Sequence, residues 1–138
     1  MAYRDESPAQ IADTNPNESG VVMVAWNENR EMARKRGSLA MEFFCVVTTP
    51  VKSFEELKAV LPEHLEYQMA QQAAGNLALA GPLSDMSGEE MQGEGMIIYR
   101  AESMEAARAL ADGDPMHREG IRTYTLRKWL VNEANFSV

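Results

Sequence analysis

The run Met41-Glu-Phe-Phe-Cys-Val-Val-Thr-Thr49 constrains the fold more than any other stretch of the chain. It is dense in β-branched and aromatic residues and stops at Pro50, the composition of a buried strand. Side chains alternate along a strand, so Met41, Phe43, Cys45 and Val47 share one face while Phe44 and Val46 take the other. Both faces are apolar, and the sheet built around this strand has to be covered on both sides. Cys45 then reads as a core residue rather than a reactive thiol.

The segments after it alternate in type. Ser53-Phe-Glu-Glu56 satisfies the capping-box pattern and predicts a helix from Phe54 to about Leu61. Pro62 interrupts or restarts it. From Glu63 the residues Leu65, Met69 and Ala73 form an i,i+4 apolar stripe, with His64, Gln68 and Gln71 on an adjacent face, until Gly75-Asn76 stops the helix. His64 therefore falls in a first helical turn, where the partial positive charge of a helix N-terminus disfavours imidazolium and neighbouring Glu63 opposes that effect. Leu77–Gly81 is a short second strand ended by Gly81-Pro82. Pro82–Glu94 is acidic and lacks periodicity, which predicts a long hairpin connection able to act as a lid. Gly95–Arg100 is strand three, Ser103 caps a helix through Ala111, and Arg122 to about Leu130 alternates as the last strand. The order β, α, β, β, α, β predicts an α+β fold, the ferredoxin-like βαββαβ sandwich, with an antiparallel four-stranded sheet and helices on one face. A second copy packed sheet to sheet is the simplest cover for the other face.

Residues 1–40 form an N-terminal extension ahead of the domain at 41–138. Residues 1–20 hold few large apolar groups and predict a mobile arm. Val21–Trp26 is strand-like, and Asn27–Gly37 reads as a helix whose Glu31 and Lys35 have ion-pair spacing. A net charge of −8 over 138 residues argues against nucleic acid and anionic membrane as partners. One cysteine excludes an intrachain disulfide and a cysteine zinc site, and no run is long and apolar enough to span a bilayer. Cytoplasm is the default location. No Gly-rich dinucleotide fingerprint or phosphate loop is present, so no cofactor is expected. The ten methionines are dispersed and read as core filling.

His64 and His117 are the only histidines. With Asp114, held beside Pro115, they are the groups able to move a proton near neutral pH. Pro115 restricts Asp114 to extended conformations and so fixes where its carboxylate points. His64, Asp114 and His117 have the donor types of a zinc site, but the ligand spacing is absent. Tyr67, one turn from His64, and Ser84, after Gly-Pro, are candidate pocket residues together with Pro82 and Pro115. Arg100 and Arg122 have the chemistry to hold a substrate carboxylate, although pairing with the many acidic side chains competes.

Five motifs in order resemble the YCII-related family of the dimeric α/β-barrel superfamily. They are Pro62-Glu63-His64-Leu65, Ala80-Gly81-Pro82, Gly95, the Ser-x-Glu-x-Ala helix from Ser103 to Ala111, and Asp112-Gly113-Asp114-Pro115 followed by Gly120. The resemblance covers about residues 41–130. It implies a ferredoxin-like dimer with a His-Asp pair in a cleft, which on this chain is His64 and Asp114. One relative dehalogenates a chlorinated muconolactone-type compound, so the resemblance implies acid/base chemistry on a small molecule: a lyase, isomerase or dehalogenase acting on a small organic acid or lactone. The rival reading is a non-catalytic metabolite-binding or assembly module using the same pocket. The extension at 1–40, and Met116-His117 where an aromatic residue more often follows the Asp-Pro pair, depart from the short form of the family.

Overall fold

The computed structural model describes residues 23–136, and the chain divides into two units at Ala40/Met41. In the first unit, α1 spans Trp26–Lys35 and buries Ala33. Its exposed ion pair joins Glu31 to Arg34 at 2.7 Å rather than to Lys35, because residues three apart are also neighbours on a helix. The strand expected at Val21–Trp26 does not form over its described part. Met23–Ala25 are irregular and Trp26 already belongs to α1. The arm expected at 1–20 lies outside the described residues.

The second unit carries β1 (Met41–Pro50), α2 (Phe54–Ala73), β2 (Leu77–Pro82), β3 (Gly95–Tyr99), α3 (Met104–Gly113), α4 (Pro115–Arg118) and β4 (Arg122–Val131). The four strands form one antiparallel sheet in the order β2-β3-β1-β4. This is the ferredoxin-like α+β fold. Strand β1 lies at the centre, with Phe44 opposite Tyr99 on one side and Lys128 on the other. Its two apolar faces feed two clusters. Phe44, Val46, Leu77, Ile97 and Tyr99 meet Ala107 and Ala111 of α3 on the helical side. Phe43, Ile98 and Val131, with Cys45, Ala78 and Met96 beside them, occupy the opposite face. Burial pushes the Cys45 thiol above its ordinary pKa, against the pull of Arg127, as expected for a packed rather than a reactive cysteine. No helix among the described residues is long and apolar enough to cross a membrane.

Helix α2 departs from expectation in two respects. It is one continuous element through Pro62, begun by a complete capping box between Ser53 and Glu56. It ends in a Schellman motif, with the Gly75 N–H on the Gln72 carbonyl and the Asn76 N–H on that of Gln71; Gly75 supplies the left-handed turn at φ 85°. The second departure is its orientation. Leu65 and Met69, the expected core stripe, are 50% and 69% exposed, and no residue of α2 is fully buried. Its inward face is instead Leu57, Val60, His64, Tyr67, Gln68 and Gln71. The physical reason is that this face is held by hydrogen bonds. His64 reaches Asp114, Tyr67 reaches Leu110, and Gln71 receives the Asn76 amide.

The 83–94 connection is laced together at its turn. Asp85 Oδ1 accepts from the Ser87 hydroxyl and from the amides of Ser87, Gly88 and Glu90. At its base the Leu83 amide bonds the Glu94 carbonyl at 2.9 Å.

Because α2 has no buried stripe to hold it, its start depends strongly on the cap. Replacing Ser53 by Ala should lower unfolding free energy by about 1 kcal/mol, measured by urea denaturation. Glu56→Gln, which keeps a capping acceptor, should cost less.

Candidate functional site

Asp114 is the joint between two helices. Its amide bonds the Ala111 carbonyl and closes α3, and its backbone then turns extended, at φ −66° and ψ 124°, as a residue before proline must. The same residue starts α4. Its Oδ1 accepts the Met116 amide at 3.0 Å, and its carbonyl accepts those of His117 and Arg118 at 2.9 and 2.8 Å. Pro115 fills the first helical position, where its missing N–H goes unneeded. The Asp114 side chain is entirely buried, and its Oδ1 lies 2.8 Å from His64 Nδ1.

A carboxylate only accepts, so the proton of this bond resides on His64 Nδ1, and the neutral form of the ring carries its lone pair on Nε2. Among the described residues Nε2 has no hydrogen-bond partner. The ring is 18% exposed against 0% for Asp114. The imidazole can therefore meet a solute while the carboxylate cannot. His64 sits in the middle of a twenty-residue helix, so the first-turn electrostatics expected from a restart at Pro62 do not apply. Asp114, besides following a helix C-terminus, has amide donors from the start of α4.

Two tyrosines feel the charge of Asp114. Tyr67, one turn beyond His64, donates its hydroxyl to the Leu110 carbonyl at 2.7 Å. Gly113 makes room for it, because a Cβ there would stand 2.6 Å from the Tyr67 hydroxyl. Tyr99 rises from β3 and is fully buried. Burial raises the pKa of both phenols, and the charge of Asp114 raises them further.

A second network lies on α4 and the adjoining strands. His117 has Nδ1 2.7 Å from the Ala111 carbonyl, which fixes a proton on Nδ1, and Nε2 2.8 Å from the Thr48 hydroxyl. Arg122 donates to the Thr48 hydroxyl and carbonyl and to the Gly93 carbonyl. Burial lowers the Arg122 pKa, and the charge of Asp114 acts in the opposite direction. The His117 ring centroid is 4.6 Å from that of Tyr124, whose hydroxyl donates to Asp112 at 2.6 Å. His117 thus ties α4 to β1, and Thr48, a buried polar residue, is the shared anchor.

The fold brings His64, Asp114, Tyr67 and Pro115 together. Pro115 is buried and acts by fixing Asp114. Pro82 ends β2 opposite Gly95 and is exposed. Ser84 is also exposed and gives its hydroxyl to the Asp85 carbonyl. Neither hydrogen-bonds to the pair. Arg100 gives Nη1 to the Gly75 carbonyl and lies over the Phe43 ring, so both arginines spend donors on backbone carbonyls. Among the described residues no group of three His, Cys, Asp or Glu side chains could hold a metal ion. Tyr99 and Thr48 were not anticipated as members of the site. Period-two alternation from Ile97 and Val46 places both on the helical face, which was the available signal.

The family model for the YCII-related domain matches residues 41–130. The chain belongs to the YCII-related family. Among solved structures, this YCII-related protein is similar to a 5-chloro-2-hydroxyhydroquinone dehydrochlorinase from Burkholderia phenoliruptrix, determined in complex with 2,5-dihydroxybenzoquinone. The TM-score is 0.50 and the identity 18%, over 63% of this chain and 92% of that one. A candidate antibiotic biosynthesis monooxygenase from Deinococcus radiodurans aligns at a TM-score of 0.42 and 14% identity, over 71% of this chain and 99% of that one. No match is found among curated proteins.

The raised tyrosines set an alkaline limit. With their folded pKa values above the usual tyrosine value of about 10, the unfolded chain releases protons first as pH rises, so stability is retained below that value and falls above it. Unfolding free energy measured from pH 8 to 11.5 should stay level and then decline. In Tyr99→Phe the decline should be shallower.

Proposed function

We propose that this YCII-related protein is an acid/base enzyme acting on a small acidic molecule, with His64 as general base and Asp114 as the group that orients it. One observation carries the reading: a 2.8 Å bond between a partly exposed imidazole and a fully buried carboxylate. In the proposed reaction Nε2 removes a proton from a carbon beside a carbonyl, or from a ring hydroxyl. The electron pair left behind either expels a leaving group such as chloride, forming a double bond, or is reprotonated at a second carbon. Asp114 stabilises the imidazolium as it forms. The first outcome is elimination or dehalogenation and the second is isomerisation. Family membership and the shared fold of a dehydrochlorinase support the elimination branch. Substrates in this reading are small organic acids, lactones and hydroxylated rings.

The same proposal includes a second copy of the chain on the sheet face that bears Phe43 and Ile98. On that face Leu79 at one sheet edge and Trp129 at the other are 44% and 43% exposed, and large apolar side chains left exposed on a sheet face favour a contact there.

The enzyme reading is checked with a panel of halogenated hydroquinones, small carboxylic acids and lactones in deuterated water, following halide release and deuterium incorporation. For any compound turned over, His64→Ala and Asp114→Asn should each slow the reaction by about 10²–10⁴-fold. Turnover at wild-type rates in both variants would remove the pair from the mechanism. Light scattering at micromolar concentration should give the mass of a dimer, weakened by Trp129→Glu. A wild-type monomer would overturn the assembly.

A further inference from the structure

Among the described residues four buried side-chain oxygens lack hydrogen-bond partners, Gln68 Oε1, the Tyr99 hydroxyl, Asp114 Oδ2 and Asn132 Oδ1, and of these only the Tyr99 hydroxyl is a donor and only Asp114 Oδ2 belongs to the pair. Both residues are 0% exposed, so bulk water does not reach them. An orphaned buried group costs about 1–3 kcal/mol, and buried polar atoms in folded proteins nearly always find a donor or acceptor. These two are complementary, since a phenol O–H donates and a carboxylate oxygen accepts. They also lie in one neighbourhood, because Tyr99 shares a buried cluster with Ala111 of α3, whose carbonyl holds the Asp114 amide, and the Asp114 charge acts on the Tyr99 hydroxyl. The other carboxylate oxygen is already used twice, by His64 Nδ1 and by the Met116 amide. The Tyr67 hydroxyl is engaged on Leu110, which leaves Tyr99 as the phenol with a free donor.

We infer that Tyr99 is a positioning residue whose hydroxyl donates to Asp114 Oδ2 through one enclosed water, and thereby sets how much negative charge the carboxylate presents to His64. A donor on Oδ2 draws charge away from Oδ1. With it in place, Asp114 aligns the imidazole and leaves the Nδ1 proton on the ring. Without it, Oδ1 becomes the stronger acceptor and pulls harder on that proton. The inference rests on the reading of His64 as the base, yet its consequence is visible without any substrate.

Proton NMR of the full-length protein at low temperature is the test. The chain has two histidines, and both hold Nδ1 protons in hydrogen bonds, His64 to Asp114 and His117 to the Ala111 carbonyl. Two downfield imidazole resonances are expected. In Tyr99→Phe the His64 resonance should move further downfield while that of His117 stays, and in Asp114→Asn the His64 resonance should move upfield or vanish. Tyr67→Phe, as the control, should move it far less than Tyr99→Phe does. A His64 resonance unmoved by Tyr99→Phe, or one moving together with that of His117, overturns the role of Tyr99. Should Tyr99→Phe fail to fold, the wild type decides. A slowly exchanging Tyr99 hydroxyl proton that is lost in Asp114→Asn supports the bond, and its absence from the wild type refutes it. A catalytic screen in which His64→Ala stays active would instead sink the base assignment and leave these resonances as they are.

Discussion

The carboxylate of Asp114 is the interaction on which the helical layer depends. One buried side chain follows the end of α3, caps the start of α4 and receives His64 from α2. Burying a charge is costly unless it is met by donors. Here the helix start and the imidazole are those donors, so the requirement to satisfy the carboxylate is also what brings three helices to one point. The candidate site and the packing of the layer are the same structure. Removal of the side chain would therefore disturb both, and the amide replacement is informative because asparagine caps helices about as well as aspartate.

A second tie runs in parallel and joins the helical layer to the sheet. His117 spans from the Ala111 carbonyl to Thr48, and Arg122 completes Thr48 from β4 and reaches the Gly93 carbonyl. The short helix α4 thus makes two ties: Asp114 faces α2, while His117 faces the central strand. The two histidines share donor chemistry and differ in what their second nitrogen meets. On His117 it meets the Thr48 hydroxyl; on His64 it has no partner among the described residues.

Much of this was readable from the chain. The two-sided apolar pattern of β1 foretold a strand covered on both faces, Ser53-x-x-Glu56 foretold the start of α2, and Asp114-Pro115 foretold an extended residue with a fixed side chain. What escaped reading has physical causes. Periodicity reports that α2 has an apolar stripe but not which side turns inward, and here the polar side wins because its hydrogen bonds serve the site. Helix α4 is a single turn, too short for any period to register. Pro62 reads as a break because proline lacks a donor, yet one missing bond inside a twenty-residue helix is outweighed by the rest. The partners of His117 lie far apart in sequence, at Thr48 and Tyr124, and no local rule could have joined them.

The outward stripe of α2 bears on how firmly the His64–Asp114 bond is held. An element with no fully buried side chain loses little apolar contact when it detaches, and elements of that kind occupy the low-stability end of local unfolding. Helix α2 is tied to α3 and α4 by Tyr67 and His64 through polar bonds that water can replace. Lifting it separates the imidazole from Asp114 and uncovers the carboxylate in one movement, while the sheet and α3 keep their core. Exposure of the Asp114 carboxylate and loss of its bond to His64 are thus coupled through a single helix.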